Sequence, residues 1–121
     1  MPKKILVADD EEIIRNYVSR ALASRGYAVK TAADGAAALE LARQEPFDLL
    51  ICDLKMPELR GEKVVRAIAG LRPGLRVIVI TGSVSEVSAS VVPGLEVDGF
   101  LVKPFGIDEI RSLAGKLLGP A

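Results

Sequence analysis

The 121-residue sequence contains no histidine and no tryptophan, and it has a single cysteine. The lack of histidine excludes a Ser–His–Asp triad, a Cys–His pair and histidine-ligated zinc or iron sites. Cys52 cannot form an internal disulfide, and its place in the apolar run LLICD predicts a small buried core residue. Any chemistry must therefore rest on carboxylates, hydroxyls, lysine and bound cations.

Neither sign of charge is in excess, because 16 basic residues balance 16 acidic residues. The sequence thus carries no basic footprint for nucleic acid and no polybasic stripe for an anionic membrane. No apolar run approaches the roughly 20 residues that cross a bilayer, and the start MPKK does not lead into a signal-peptide core. Because 50% of the residues are hydrophobic, we expect one soluble, cytoplasmic domain over residues 1–121.

Short apolar runs alternate with stretches of helical periodicity. The predicted strands cover residues 4–8, 27–31, 48–52, 76–80 and 99–102. Continuous β-branched and leucine-rich runs are typical of strands that are buried on both faces of a parallel sheet. Asp34 is expected to cap the second helix, and residues 83–92, rich in serine and valine, predict a short or mobile fourth helix. The alternation predicts an α/β protein with helices on both faces of the sheet.

Reactive types of side chain follow four of the five predicted strands. Asp9 and Asp10 follow the first strand, Asp53 the third, Thr81 the fourth and Lys103 the fifth. Ligands of open α/β sheets bind outside the carboxyl ends of the strands, so we expect these side chains at one edge. Each residue alone could be an ordinary cap, turn or surface residue. Their coincidence indicates a functional site.

Clustered carboxylates need a compensating cation, because like charges oppose ionisation. Magnesium suits one or two carboxylates with water and phosphate, whereas calcium usually takes a larger protein cage. A lysine and a hydroxyl would neutralise and hydrogen-bond a phosphoryl group. The pattern predicts magnesium-dependent phosphoryl transfer, with Asp53 as the carboxylate nucleophile. Glu11 and Glu12 are interpreted as ordinary first-turn acids that the helix dipole favours.

Four motifs together resemble the receiver domain of two-component response regulators: ILVADDE, DLLICDLKMPELRG, VIVITG and FLVKPF. The resemblance covers nearly the whole chain and implies a doubly wound, flavodoxin-like receiver fold with five parallel strands in the order 2-1-3-4-5. It implies a signalling protein of a phosphorelay rather than an enzyme. The expected donor is a sensor histidine kinase or phosphotransfer protein, and the expected target is a downstream partner or an output domain.

The resemblance also assigns roles at the carboxyl edge. Asp53 is the expected phosphoacceptor. The expected Mg²⁺ ligands are Asp10, Asp53 and the backbone carbonyl of Lys55, and Asp9 is expected to act on the metal through water. Lys103 is expected to contact the phosphoryl oxygens.

Further positions match the family's switch and its loops. Thr81 and Phe100 are the expected switch pair, which would change the face formed by the fourth helix, fifth strand and fifth helix; this face could also form a homodimer. Lys55 and Ser83 are expected to modulate the lifetime of the phosphoryl group. The remaining matches are Pro57 and Gly61 in the loop after the acceptor, and a cis peptide bond between Lys103 and Pro104.

Two other functions stay open. A phosphorylation-independent pseudo-receiver would use the same fold only as an interaction module, although the full set of edge residues argues against it. An aspartate-nucleophile phosphatase of the haloacid dehalogenase type would carry a second aspartate two residues after the first, where this chain has Lys55. The early Pro93-Gly94 pair departs from the family pattern in the segment that leads to the expected signalling face.

Overall fold

Strands and helices alternate along the chain in the computed structural model, which describes residues 2–56, 61–82 and 97–121. The strands are β1 (Lys4–Ala8), β2 (Ala28–Ala32), β3 (Leu49–Asp53), β4 (Arg76–Thr81) and β5 (Gly99–Val102). The helices are α1 (Glu12–Ala23), α2 (Gly35–Gln44), α3 (Gly61–Leu71) and the C-terminal helix (Ile107–Leu118). The predictions for the helix over 83–92, for Pro57 and for Ser83 lie outside the described residues.

The five strands form one parallel sheet in the order β2-β1-β3-β4-β5. This order confirms the doubly wound α/β architecture. Side chains alternate across the sheet, so Ile5 and Val7 of β1 face one core and Leu6 faces the other. The first core includes residues of α1 and the C-terminal helix, and the second includes residues of α2 and α3. Helices therefore cover both faces, and β3 is buried along its whole length.

Three strands end one residue later than the sequence predicts: β2 at Ala32, β3 at Asp53 and β4 at Thr81. Asp53 pairs with Ile80 across β3 and β4, and Thr81 pairs with Val102 across β4 and β5. The predicted boundaries at 52 and 80 are wrong because parallel pairing continues through the first polar residue after each apolar run. Asp53 and Thr81 are thus held by the sheet itself rather than by a loop.

Two helix ends have the residues that their local geometry favours. Asp34 Oδ1 accepts a hydrogen bond from the Ala37 amide at 2.8 Å, which confirms the predicted cap of α2. Gly26 follows α1 with a φ of 92°, a conformation that glycine adopts without steric cost. Cys52 is fully buried, as predicted, and burial raises the pKa of its thiol. Among the described helices, none has the length and apolarity to cross a bilayer.

Gly61 begins α3 directly against the end of β3. A Cβ atom at this position would lie 2.3 Å from the carbonyl oxygen of Asp53 and 2.5 Å from the Cα atom of Leu54. The Gly61 amide also donates a hydrogen bond to the carbonyl oxygen of Leu54 at 3.2 Å. Because these contacts are with backbone atoms, a side chain at Gly61 would displace the segment that carries Asp53.

We predict that Gly61→Ala lowers the free energy of unfolding by about 1–3 kcal/mol, because an added methyl group in a packed site forces the backbone to move. Gly70→Ala in the same helix is the matched control, since a Cβ there meets nothing within 4 Å. This control should be neutral or slightly stabilising, because alanine is the better helix former. Urea unfolding measures both variants. If Gly61→Ala and Gly70→Ala were equally stable, the inferred contact between a side chain at position 61 and the backbone of Asp53 and Leu54 would be wrong.

Candidate functional site

The carboxyl ends of the strands bring the predicted site residues to one edge of the sheet. Asp9 follows β1, Asp53 ends β3, Thr81 ends β4 and Lys103 follows β5. Carboxylate oxygens of Asp9, Asp10, Glu11 and Asp53 lie within 4.8 Å of one another. The structure thus brings together the acidic residues that the sequence singles out, and it adds one more.

Asp53 is held by a donor on each of its carboxylate oxygens. Its Oδ1 accepts a hydrogen bond from the Lys55 amide at 2.9 Å, and its Oδ2 accepts one from Lys103 Nζ at 3.1 Å. The residue is only 4% exposed. Because charge-assisted hydrogen bonds are short and directional, the carboxylate is fixed in orientation at the edge.

Asp9 lies beneath this edge and is fully buried. Its Oδ1 accepts a hydrogen bond from the Glu11 amide at 2.8 Å, whereas its Oδ2 has no hydrogen-bond donor among the described residues. Burial raises the pKa of Asp9 to about 6; the Glu11 amide opposes this shift and the nearby Asp53 carboxylate adds to it. Arg15 Nη1 donates to the Asp9 carbonyl oxygen at 2.8 Å and steadies the turn from β1 into α1.

Lys103 places its ammonium group between the carboxylates. Its Nζ lies 2.8 Å from Glu11 Oε1, 3.1 Å from Asp53 Oδ2 and 3.7 Å from Asp9 Oδ2. Burial lowers the pKa of Lys103, but the hydrogen bonds to Glu11 and Asp53 outweigh that effect and raise it. The lysine is therefore a fixed positive charge at neutral pH. Its peptide bond to Pro104 is cis, and its amide donates to the Thr81 carbonyl oxygen at 2.9 Å.

Glu11 is a site residue that the sequence interpretation missed. Only Glu12 lies in the first turn of α1, because Glu11 is the residue that precedes the helix. The Glu11 side chain makes no capping hydrogen bond and instead contacts Lys103. The interpretation of Glu11 as an ordinary first-turn acid is therefore wrong. The sequence position of Glu11 could have indicated this contact, because it directly follows Asp9 and Asp10 and its side chain can reach the strand ends.

The remaining predicted residues surround this cluster. Thr81 is buried at the end of β4, and Phe100 lies half-buried on β5 opposite Val79. Lys55 is exposed two residues after Asp53 and donates its amide to that carboxylate. Ser83 and Pro57, as stated above, lie outside the described residues.

The acidic cluster has the ligand chemistry of a hard divalent cation. Its side chains offer oxygen atoms alone, and both Mg²⁺ and Ca²⁺ prefer oxygen ligands. The Asp9 Oδ2 atom lies 3.7 Å from Lys103 Nζ but lacks a hydrogen-bond donor within the described part of the chain, so its capacity as an acceptor is unused. Asp10 is exposed and open to an entering ion. These residues fit a cation that bridges the edge.

The fold and this acidic edge define a class of protein, the flavodoxin-like α/β domains with a polar site at the carboxyl ends of the strands. The family model described as "Response regulator receiver domain" matches residues 5–114. The chain therefore belongs to the response regulator receiver family, which confirms the resemblance seen in its motifs.

Individual relatives agree with the family match. The chain is 37% identical over 120 residues to response regulator MprA of Mycobacterium tuberculosis (strain ATCC 25618 / H37Rv), covering 98% of this chain and 51% of the relative. It thus spans about half the length of the curated relatives it matches. The chemotaxis response regulator CheY4 of Vibrio cholerae superposes with a TM-score of 0.89 at 32% identity, covering 98% of this chain and all of that one.

One similar structure shows a modified aspartate. A response regulator from Burkholderia pseudomallei, described with a phosphorylated aspartic acid, a calcium ion and citrate, matches with a TM-score of 0.79 at 32% identity. The match covers 92% of this chain and 65% of that one.

We predict that Asp9→Asn raises the free energy of unfolding by roughly 1–3 kcal/mol at pH 7.5 in EDTA, since one pKa unit is worth about 1.4 kcal/mol. The pKa of Asp9 in the folded protein, about 6, lies above its ordinary value of 3.8, so the folded state binds this proton more tightly. Ionised Asp9 therefore costs stability above pH 6, and that cost fades as the pH falls toward 4.

Urea unfolding of wild type and Asp9→Asn at pH 7.5 and pH 4.5 measures this difference. Glu12→Gln is the control, because it removes an exposed carboxylate from the adjoining helix turn. The advantage of Asp9→Asn should shrink at the lower pH. An equal advantage at both pH values would show that burial of the Asp9 charge is not its source.

Proposed function

We propose that this chain is a phosphorylation-controlled signalling switch that accepts a phosphoryl group on Asp53 in a magnesium-dependent reaction. One observation carries the proposal: a buried aspartate at the sheet edge lies 3.1 Å from a lysine ammonium and within 4.8 Å of further carboxylates. The carboxylate supplies a nucleophile, and the charges beside it suit a phosphoryl group and a metal.

The reaction follows from the chemistry of these groups. A carboxylate oxygen of Asp53 attacks the phosphorus of a partner's phosphohistidine; the O–P bond forms, the P–N bond breaks and the imidazole leaves. Lys103 offsets negative charge on the transferred phosphoryl oxygens. Asp9, Asp10, Asp53 and the Lys55 carbonyl would hold Mg²⁺, which would neutralise phosphoryl charge when bound. The donor histidine lies outside residues 1–121, because this sequence has none.

The Burkholderia pseudomallei relative supports this assignment. Its phosphorylated aspartic acid and calcium ion are the two groups that the acidic edge would accommodate here. Calcium is also a hard cation with oxygen ligands, although its coordination sphere is larger than that of magnesium. A phosphorylated aspartate and a divalent cation thus occur together in one structure of this fold.

Phosphorylation is proposed to change the surface beside β5, at the edge of the sheet. Phosphorylation adds roughly −1.5 to −2 charge and strong acceptor oxygens, toward which the Thr81 hydroxyl would turn. Phe100, half-buried on the neighbouring strand, would then move inward and change the face that includes β5 and the C-terminal helix. Such a change is a population shift between two packings. Because the chain spans about half of its curated relatives, the target is an attached output domain or a separate partner.

Phosphorylation of Asp53 is the central prediction. Incubation with acetyl phosphate and Mg²⁺ should add the mass of one phosphoryl group in intact-protein mass spectrometry. Asp53→Asn should abolish the addition, and EDTA should suppress it, because the metal offsets the charge on the reacting group.

The same experiment separates the competing functions. An unmodified wild type would favour the phosphorylation-independent interaction module. Fast turnover of phosphomonoesters would favour the phosphatase, although the lysine at position 55 stands where that class has its second aspartate. A stable modification on Asp53 alone, in the presence of Mg²⁺, is the result we expect.

A second prediction concerns the switch. Thr81→Ala should still become phosphorylated on Asp53, but the amide chemical shifts of β5 and the C-terminal helix should change much less than in wild type. The reason is that the variant lacks the hydroxyl that would follow the phosphoryl group, so phosphorylation no longer changes the packing beside Phe100. Two-dimensional NMR before and after phosphorylation measures the response. An unchanged response in Thr81→Ala would break the proposed coupling.

A further inference from the structure

Glu11 and Asp9 compete for the same ammonium group. Lys103 Nζ lies 2.8 Å from Glu11 Oε1, which is hydrogen-bonding distance, and 3.7 Å from Asp9 Oδ2, which is beyond it. Glu11 is 57% exposed, whereas Asp9 is completely buried. The lysine has thus turned toward the exposed carboxylate while a buried carboxylate oxygen has no hydrogen-bond donor within the described residues.

This distribution is unexpected from burial alone. A buried carboxylate gains more from a hydrogen-bonded ammonium than an exposed one does, because water already solvates the exposed group. A shift of about 1 Å would bring Nζ within hydrogen-bonding distance of Asp9 Oδ2. The attraction of Glu11 opposes that shift, since the ammonium already donates to Glu11 and Asp53. Glu11 is thus the nearest of the three carboxylates to the ammonium group, and Asp9 is the farthest.

We propose that Glu11 is a positioning residue that holds Lys103 away from Asp9 and so keeps the Asp9 carboxylate open to a divalent cation. The inference rests on the proposed function, because it concerns the metal which that reaction uses. Without Glu11, the ammonium would settle on Asp9 Oδ2 and occupy the place of the cation. Glu11 acts through Lys103 and not as a metal ligand.

A competing explanation is that Glu11 binds the cation itself, because its carboxylate belongs to the same cluster. The two explanations differ in their dependence on Lys103. If Glu11 acts through the lysine, its removal matters only while the lysine is present. If Glu11 is a ligand, its removal weakens metal binding whether or not the lysine is there.

The test is a Mg²⁺ titration followed by amide NMR shifts at constant ionic strength, without any phosphodonor. Glu11→Gln should weaken Mg²⁺ binding by about threefold to tenfold, the range expected for loss of one charge contact. Glu12→Gln is the matched control, since it removes the same charge one residue further along, and it should change the Kd less than twofold. In a Lys103→Met background, Glu11→Gln should have no larger effect than Glu12→Gln. Lys103→Gln provides a second background in case Lys103→Met fails to fold.

Each outcome decides. A loss of affinity confined to the lysine-containing background supports the positioning role. An equal loss in both backgrounds, or no loss in either, overturns it. If wild type itself shows no Mg²⁺ binding, the magnesium dependence of the proposed function fails as well. That result is distinguishable from failure of the Glu11 role alone, in which wild type binds the metal and Glu11→Gln binds it equally well.

Discussion

The site depends on the ammonium group of Lys103, which lies close to three carboxylates. Lys103 Nζ lies within 4 Å of carboxylate oxygens of Asp9, Glu11 and Asp53. Two of these carboxylates are buried, and a buried charge is costly unless it is paired and hydrogen-bonded. One ammonium carries one positive charge against these three carboxylates, and Asp9 Oδ2 is left without a hydrogen-bond donor within the described chain. Among these four side chains negative charge therefore exceeds positive charge, which favours an incoming cation.

The sheet makes this excess of negative charge possible because it holds the carboxylates where repulsion would otherwise separate them. β3 is buried from end to end, and Asp53 is itself part of the ladder with β4. On the neighbouring side, Ala8 of β1 pairs with Cys52 of β3, so the residues that follow are adjacent. Closely packed cores resist displacement, so repulsion between the carboxylates moves the strand ends little. The pKa of Asp9 is raised instead, chiefly because the carboxylate is buried and in smaller part because the Asp53 charge is close.

Much of this arrangement is predictable from the sequence. The rest depends on contacts between residues that are far apart in the chain, which a local sequence pattern does not show. Apolar runs followed by polar residues place Asp53 and Lys103 at one edge, because parallel strands share their carboxyl ends. The contact between Glu11 and Lys103 joins residues 92 positions apart, and the direction of the Glu11 side chain depends on the turn before α1. The end of β3 at Asp53 is also a pairing effect, since only the neighbouring strand shows that the ladder continues through this residue. The close approach of Gly61 to the backbone of Asp53 and Leu54 is not predictable from the sequence either, because it depends on how the chain returns to the end of β3.

Exposure divides the acids of the edge into two groups with different consequences. Asp9 and Asp53 are buried, so their charges interact strongly with any ion but cost stability when unpaired. Asp10 and Glu11 are exposed, so water solvates their carboxyl groups and weakens their interaction with neighbouring charges. A phosphoryl group on Asp53 would add negative charge to the buried group, where compensation is already incomplete. A metal ion and a phosphoryl group at this edge would therefore not bind independently of each other or of Lys103, because each would change the charge that the others meet.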